Sequence, residues 1–193
     1  MNWNLELGTW NFRDSGGFSL IEILVSIAIF SVVMVTAAGA LLATIDANHK
    51  SQAIQLAMNN LGFALESMSR VIREGNTYYC GDKDTLEKNL ANNQSPNDCG
   101  GGENFFAFKR TSYNKTVSYY LYNNQIMRKE DSADAQAITA SGVKVENLTF
   151  YVSGSGDPQK RAMVTIVIQG TAGETAKVQT PFNLQTTLSQ RMP

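Results

Sequence analysis

The chain has 193 residues, a length that suits one domain of ordinary size together with an anchoring segment. Its formal net charge is −1, from 16 basic and 17 acidic residues scattered along the sequence. Nucleic-acid binding requires a concentrated basic surface, so we predict no nucleic-acid contact. Hydrophobic residues make up 43% of the chain, and many of them fall between residues 18 and 45. The composition therefore predicts an apolar anchor joined to a polar head.

The anchor is the run from Ile23 to Ile45, which contains no charged side chain. About 20 apolar residues in a helix suffice to cross a membrane, so we predict one spanning helix. A cleaved secretory signal is the main alternative. Its apolar part is usually about 7 to 15 residues long and follows a basic segment, whereas Glu6, Arg13 and Asp14 precede this longer run.

Helical patterning continues beyond the anchor. Apolar residues spaced alternately by four and three form a stripe made of Ile54, Met58, Leu61, Leu65, Met68 and Ile72. The pattern predicts one helix from about Phe18 to Glu74 that ends at Gly75, a common helix terminator. Fewer than three heptads are present, so we expect the stripe to pack against a sheet rather than in a coiled coil.

The remaining sequence predicts a loop followed by strands. Residues 76–103 are rich in Asn, Asp and Gly and indicate a long loop with a short helix near residues 86–90. Alternating patterns then predict strands at residues 104–109, 116–122, 125–129, 143–151, 163–169 and 178–188. Asn123 and Asn124 are expected to form a hairpin turn, because Asn tolerates the positive φ of tight turns. The predicted order is a long helix, a loop and an antiparallel sheet.

Both cysteines lie in the predicted loop. If the head is outside the cytoplasm, Cys80 and Cys99 should form a disulfide, which would stabilise the fold by about 3 kcal/mol for a loop of this size. Two free thiols are the alternative. A zinc site is disfavoured because the chain has no paired CxxC motif and only one histidine.

Acidic residues of the same loop are the candidate ligands for calcium. Asp82, Asp84, Glu87 and Asp98 could supply oxygen ligands, although their spacing matches no EF-hand and acidic loop residues are usually solvated. His49, just beyond the anchor, is expected to be interfacial or solvent-facing rather than a catalytic base. No nucleotide, hydrolase or metalloprotease motif occurs in the sequence. We therefore predict no metal, no cofactor and no enzymatic activity.

Glu22 is the one acidic residue at the start of the apolar run. An acid at a helix centre in lipid costs about 2.5 to 3.5 kcal/mol on insertion scales, less near the end, and usually faces a partner. A glutamate that reaches the headgroups is the alternative interpretation. That alternative accounts for Glu22 alone but not for its neighbours.

The neighbours of Glu22 carry a resemblance to a known family. Residues 16–43, "GGFSLIEILVSIAIFSVVMVTAAGALLA", resemble the N-terminal signal of type IV pilins and type II secretion pseudopilins. In that family a prepilin peptidase cleaves after a glycine, the new first residue is N-methylated, and a glutamate stands at the fifth mature position. The resemblance implies cleavage between Gly17 and Phe18, methylation of Phe18 and a role for Glu22 in assembly.

The resemblance also implies a pilin-like α+β fold, in which a long N-terminal helix packs on an antiparallel β-sheet. The expected regions are a leader (1–17), a transmembrane and assembly helix (18–45), its amphipathic continuation (46–75), a loop with the disulfide (76–103) and the sheet head (104–193). In the head, segments such as "VKVENLTFYVSG" look most like J-type minor pseudopilins and related minor pilins.

The function that follows is a minor structural subunit of a type IV pilus or a type II secretion pseudopilus. Its implied partners are other pilin or pseudopilin subunits, the prepilin peptidase, an inner-membrane assembly platform and membrane lipid. Before assembly the chain would cross the bacterial cytoplasmic membrane once, with its head outside the cytoplasm, and afterwards it would lie in a surface pilus or periplasmic pseudopilus. A membrane-anchored binding protein or adhesin is the alternative, and an anchored enzyme has less support.

Overall fold

The computed structural model describes residues 16–82, 96–111, 115–157, 159–173 and 179–191. The described elements are one helix, α1 (Leu20–Arg73), followed by strands β1 (Gly75–Gly81), β2 (Phe105–Arg110), β3 (Thr116–Tyr122), β4 (Gln125–Glu130), β5 (Gln136–Ala137), β6 (Val143–Ser153), β7 (Met163–Ala172) and β8 (Thr180–Ser189). Contacts divide the chain into two units, Met1–Ile45 and Asp46–Pro193. The predicted α+β architecture, with a long N-terminal helix and antiparallel strands, is confirmed.

The strands form two antiparallel sheets where a single sheet was predicted. The first has the order β1-β2-β3-β4-β5 and the second has the order β6-β7-β8. Glu103, which lies just before β2, forms an isolated bridge with Phe150 of β6. At the β3–β4 turn, the Val145 amide of β6 donates to the Asn124 carbonyl at 2.9 Å. Side chains from both sheets nevertheless share one hydrophobic core.

The C-terminal half of α1 packs on this core, as the stripe predicted, but with a shifted register. Leu61, Met68 and Ile72 are at most 1% exposed, whereas Met58 is 44% exposed. The other buried positions are Ala57 and Ala64, which are 2% and 3% exposed. The buried face therefore includes Ala57 and Ala64 beside the predicted stripe and excludes Met58.

Strand β1 was missed because it lies within the predicted loop. The loop was predicted from the many Asn, Asp and Gly residues between positions 76 and 103. Near its start, however, the sequence "TYYC" at residues 77–80 favours a strand. Tyr78, Tyr79 and Cys80 are at most 2% exposed, and β1 pairs with β2 over its length. The short helix predicted near residues 86–90 falls on residues that the structure does not describe.

The hairpin turn is confirmed. Asn123 and Asn124 have φ values of 49° and 59°, and they connect β3 to β4 with Tyr122 opposite Gln125. Positive φ at both central positions is the conformation that short hairpins favour, since it matches the twist of the flanking strands. The predicted strands from residue 104 onward agree with β2, β3, β4, β6, β7 and β8 to within a few residues at each end, apart from position 178, which is not described.

The end of α1 is tied to the head by hydrogen bonds from distant parts of the chain. Three donors reach the last carbonyls of the helix: Tyr78 Oη to Ile72 at 2.8 Å, the Arg191 amide to Arg73 at 3.1 Å, and Thr111 Oγ1 to Glu74 at 2.9 Å. Burial raises the pKa of Tyr78, so its hydroxyl keeps the proton that it donates. The carbonyls that a helix end leaves unpaired are thereby satisfied.

Gly75 follows the helix for a packing reason. A Cβ added to it would lie 2.7 Å from Cδ2 of the Phe108 ring, so only glycine allows β1 to start against β2 here. Its carbonyl also accepts a hydrogen bond from Gln190 Nε2 at 3.1 Å. The predicted terminator is therefore the first residue of a strand.

Candidate functional site

The candidate site begins in a non-helical segment at residues 16–19. A Cβ added to Gly16 or Gly17 would contact nothing within 4 Å, and Phe18 is 76% exposed. Proteolysis requires a chain that is accessible and not held in a helix. The predicted cleavage site between Gly17 and Phe18 lies in such a segment, while residues 1–15 of the predicted leader are outside the described residues.

Ser19 immediately precedes helix α1. The Ser19 carbonyl accepts the first helical hydrogen bond, from the Ile23 amide at 3.2 Å, which places Ser19 at the N-cap position. Glu22 is then the third helical residue, so residues 19–22, "SLIE", have the S-x-x-E spacing of a capping box. Sequence analysis missed Ser19, although this spacing could have identified it.

Glu22, in the first turn of α1, can therefore interact either with the helix dipole or with another molecule. A carboxylate in the first turn of a helix is stabilised by the helix dipole, by about 0.3 to 1 kcal/mol at an exposed site. Glu22 is also exposed in the isolated chain, so its carboxylate is accessible to a cation from another molecule. The structure places Gly17, Phe18 and Glu22 together at the start of α1.

The helix that follows leaves its apolar side chains uncovered. Every residue from 20 to 44 is exposed, including Leu24 at 57% and Phe30 at 58%. By length and composition, α1 is the one helix of the described residues that could span a membrane. Such continuous apolar exposure requires lipid or other protein chains as surroundings.

Three hydroxyl groups within this apolar stretch, those of Ser31, Thr36 and Thr44, are paired with carbonyls of the same helix. Ser31 Oγ donates to the Ile27 carbonyl at 2.8 Å, and Thr44 Oγ1 donates to the Ala40 carbonyl at 2.9 Å. Thr36 lies similarly close to the carbonyls of Val32 and Val33. Polar groups must be satisfied within a segment that water does not reach. These side chains are therefore compatible with a water-poor environment.

In the head, Cys80 and Cys99 form the predicted disulfide, with their Cα atoms 5.7 Å apart. The bond joins β1 to residues 96–103, a segment that we call the strap. The Asn97 amide donates to the Tyr78 carbonyl on β1, and the Cys99 amide donates to the Val152 carbonyl on β6, each at 3.0 Å. The strap and the disulfide thus fasten the first sheet to the second.

Asp98 of the strap was a candidate calcium ligand. Its carboxylate instead accepts hydrogen bonds from the amides of Gly154 and Ser155, each at 2.8 Å, and from the Ser155 hydroxyl. Burial alone would raise the pKa of Asp98, but these hydrogen bonds outweigh it and hold the pKa below its ordinary value. The carboxylate is therefore occupied in closing a turn of the head.

The other candidate calcium ligands do not complete a site within the described part of the chain. Asp84 and Glu87 fall on residues that are not described, and the described residues contain no group of three or more His, Cys, Asp or Glu side chains that could hold a metal. His49 is exposed, as expected, and lines a groove of about 550 Å³ together with uncharged residues such as Leu56 and Asn60.

Comparison with known proteins concerns the N-terminal part of the chain. A family model described as the prokaryotic N-terminal methylation motif matches residues 12–38. This range contains Gly17, Phe18, Ser19 and Glu22 and continues into the exposed apolar part of α1. Neither the curated proteins nor the solved structures contain a significant match to the chain.

Proposed function

The methylation motif supports the type IV pilin and pseudopilin family for this chain, and on that premise we propose that it is a minor structural subunit of a filament. The filament is a type IV pilus or the pseudopilus of a type II secretion system. The observation that carries the proposal is the combination of an accessible Gly17–Phe18 bond, an exposed Glu22 and an apolar helix that is uncovered from residue 20 to residue 44.

Processing by a prepilin peptidase is the first step of the proposal. The peptidase would cut after Gly17 on the cytoplasmic side, and the new amino terminus at Phe18 would be methylated. The exposed, non-helical segment at residues 16–19 gives a protease the access that it needs. The products are a free leader and a mature chain whose first residue carries a cationic amine.

Assembly is the second step. The amine of Phe18 on one subunit would pair with the Glu22 carboxylate of a neighbouring subunit, within a water-poor core made by the apolar helices. Two opposite charges that are paired compensate each other, whereas removal of one partner from a buried pair typically costs about 3 to 5 kcal/mol. The apolar surfaces supply the packing, and the ion pair sets the axial register between subunits.

The proposed location follows from the anchor and the disulfide. Before assembly the chain would cross the cytoplasmic membrane once through residues 18–45, with the amphipathic continuation (46–75) and the head on the far side. Disulfides persist in oxidising compartments, so the bond between Cys80 and Cys99 supports a head outside the cytoplasm. An inner-membrane platform would then transfer the subunit from lipid into the filament.

The proposal is tested by following the chain from membrane to filament. Sheared filaments should contain it, and mass spectrometry should show a chain that begins at methylated Phe18. Gly17→Ala should abolish cleavage, because it alters the residue at the cut, and the matched control Gly16→Ala should be processed. A chain that stays uncut in the membrane while its head binds a ligand would instead identify an anchored binding protein or adhesin.

A further inference from the structure

Strand β8 forms an open edge of the second sheet. It pairs with β7 from Thr180 to Ser189 without a bulge, and the strand order β6-β7-β8 places it at the end of the sheet. Within the described residues, the backbone between Pro181 and Ser189 is paired on the β7 side alone. An antiparallel edge strand directs about half of its amides and carbonyls away from its neighbour. The stretch from Pro181 to Ser189 therefore leaves a row of main-chain groups that a further strand could pair with.

The other edge strands of the head are protected. In the second sheet, β6 has an irregularity between Val145 and Asn147, and its outer side bonds to Asn124, Cys99 and Glu103. At one end of the first sheet, β5 has only two residues. At the other end, β1 carries an irregularity between Gly75 and Thr77, and the strap amide of Asn97 occupies its Tyr78 carbonyl. Natural sheets keep edges from pairing by making them short, bulged, covered or charged. In contrast, β8 is a long, regular edge strand without a bulge, a covering segment among the described residues or a charged side chain.

The side chains of β8 also lack the usual protection. The strand reads "TPFNLQTTLS" and contains no charged residue, and its one proline, Pro181, stands near its beginning. Phe182 and Leu188 are buried on the inner face at 9% and 4% exposure. Asn183, Gln185 and Thr187 are exposed on the outer face. Both faces of the edge are thus suited to an uncharged neighbouring strand.

We propose that β8 accepts an extended, uncharged strand of a different subunit, which adds to the second sheet by main-chain hydrogen bonds. The partner's identity rests on the proposed function. Copies of one chain in a helical filament are related by a screw rotation, whereas β8 pairing with β8 of a second copy requires a two-fold axis and closes into a dimer. The remaining edges are β1, β5 and β6. Strands β1 and β6 are occupied by other parts of the chain, and β5 is too short to pair with β8 of a second copy.

Strand addition of this kind takes its affinity from the backbone and its specificity from alternate side chains. The outer face of β8 offers amides and hydroxyls, which favour a neutral, hydrogen-bonding strand and disfavour a charged one. The β8 edge therefore contacts a subunit whose sequence differs from that of this chain.

The experiment compares amide hydrogen exchange in the full-length chain in detergent with exchange in the same chain within sheared filaments. Amides of β8 that do not bond to β7 should exchange at least about tenfold more slowly in the filament.

A second test uses a variant of the edge strand. Gln185→Lys places a charge on β8 and should reduce incorporation into filaments about fivefold or more. The matched control is Gln169→Lys on β7, an exposed glutamine on the central strand, which should change incorporation less than about twofold.

The outcomes separate this inference from the function on which it rests. A chain that is incorporated but whose β8 amides exchange as fast as in detergent overturns the edge contact and leaves the filament role intact. If the Gln185→Lys and Gln169→Lys variants are incorporated equally well, the edge contact is likewise overturned and the filament role remains. Protection of β8 in a dimer formed in detergent overturns the choice of a different subunit. A chain that never enters filaments overturns both the inference and the proposed function.

Discussion

The two halves of α1 differ in whether their leucine side chains are exposed or buried. Near the start of α1, Leu24 is 57% exposed and no side chain of the described protein covers the apolar surface around it. Near its end, Leu61 is fully buried against the two sheets. A buried leucine contributes about 1.5 to 3 kcal/mol to folding, whereas an exposed one contributes little. The head thus has a complete core of its own, while the apolar half of α1 depends on its surroundings.

The largest expected effect comes from the charge at Glu22. Glu22→Gln keeps a residue that fits a capping box but removes the negative charge. If Glu22 pairs with a neighbour's amine, incorporation into filaments should fall by roughly 150- to 4,000-fold, which corresponds to about 3 to 5 kcal/mol. The measurement is the ratio of filament-bound to membrane-bound chain, with membrane insertion unchanged.

The control for this prediction is the cap itself. Ser19→Ala removes the capping hydroxyl and leaves the carboxylate, and it should cost only about 0.5 to 2 kcal/mol of helix stability. Normal incorporation of Glu22→Gln together with poor incorporation of Ser19→Ala would show that Glu22 acts as a helix cap and not as an ion-pair partner.

The second prediction compares two leucines that are five positions apart. Leu61→Ala should lower the free energy of unfolding of the head by about 2 to 5 kcal/mol, because Leu61 is 0% exposed. Leu56 is 71% exposed, so Leu56→Ala should stay within about 0.5 kcal/mol of the parent protein. Denaturant unfolding of the detergent-solubilised chain measures both, and equal destabilisation would contradict the packing described for α1.

The third prediction concerns the disulfide. Replacing Cys80 and Cys99 by serine should cost the head about 3 kcal/mol, which for a unit of this size lowers the midpoint of thermal unfolding by roughly 6 to 12 °C. Membrane insertion should not change, because it depends on the apolar run from Ile23 to Ile45, which contains neither cysteine. If the double variant unfolds at the parent temperature, the strap is held by its hydrogen bonds alone.

Features with local causes were predictable from the sequence. The long helix, the Asn123–Asn124 turn and most strands follow from periodicity and from residues with special backbone preferences. The proposed cleavage and assembly residues rest on a short motif, and the match over residues 12–38 supports the family to which that motif points. Local signals carry these features because neighbouring residues alone produce them.

Features with distant causes were not predictable in the same way. The register of the helix stripe depends on which side chains the sheets leave room for, so Ala57 and Ala64 are buried and Met58 is not. The division into two sheets depends on how β6 pairs along its whole length with β7. Strand β1 is stabilised by β2, which begins 24 residues after β1 ends. No short window of sequence contains such partners.

The hydrogen bonds at the end of α1 have a consequence for the order in which the molecule is completed. Gln190 and Arg191, which bond to the carbonyls at and just beyond the helix end, are synthesised after the helix and after β8. Gln190 is separated from Gly75 by 115 residues. Contacts between such distant residues form slowly, because a long loop must close first. The junction between helix and head therefore closes only after β8 has been translated and, for an exported head, translocated. A chain interrupted before that point keeps its anchor and the bonds from Tyr78 and Thr111, but the Arg73 carbonyl lacks its donor, the Arg191 amide.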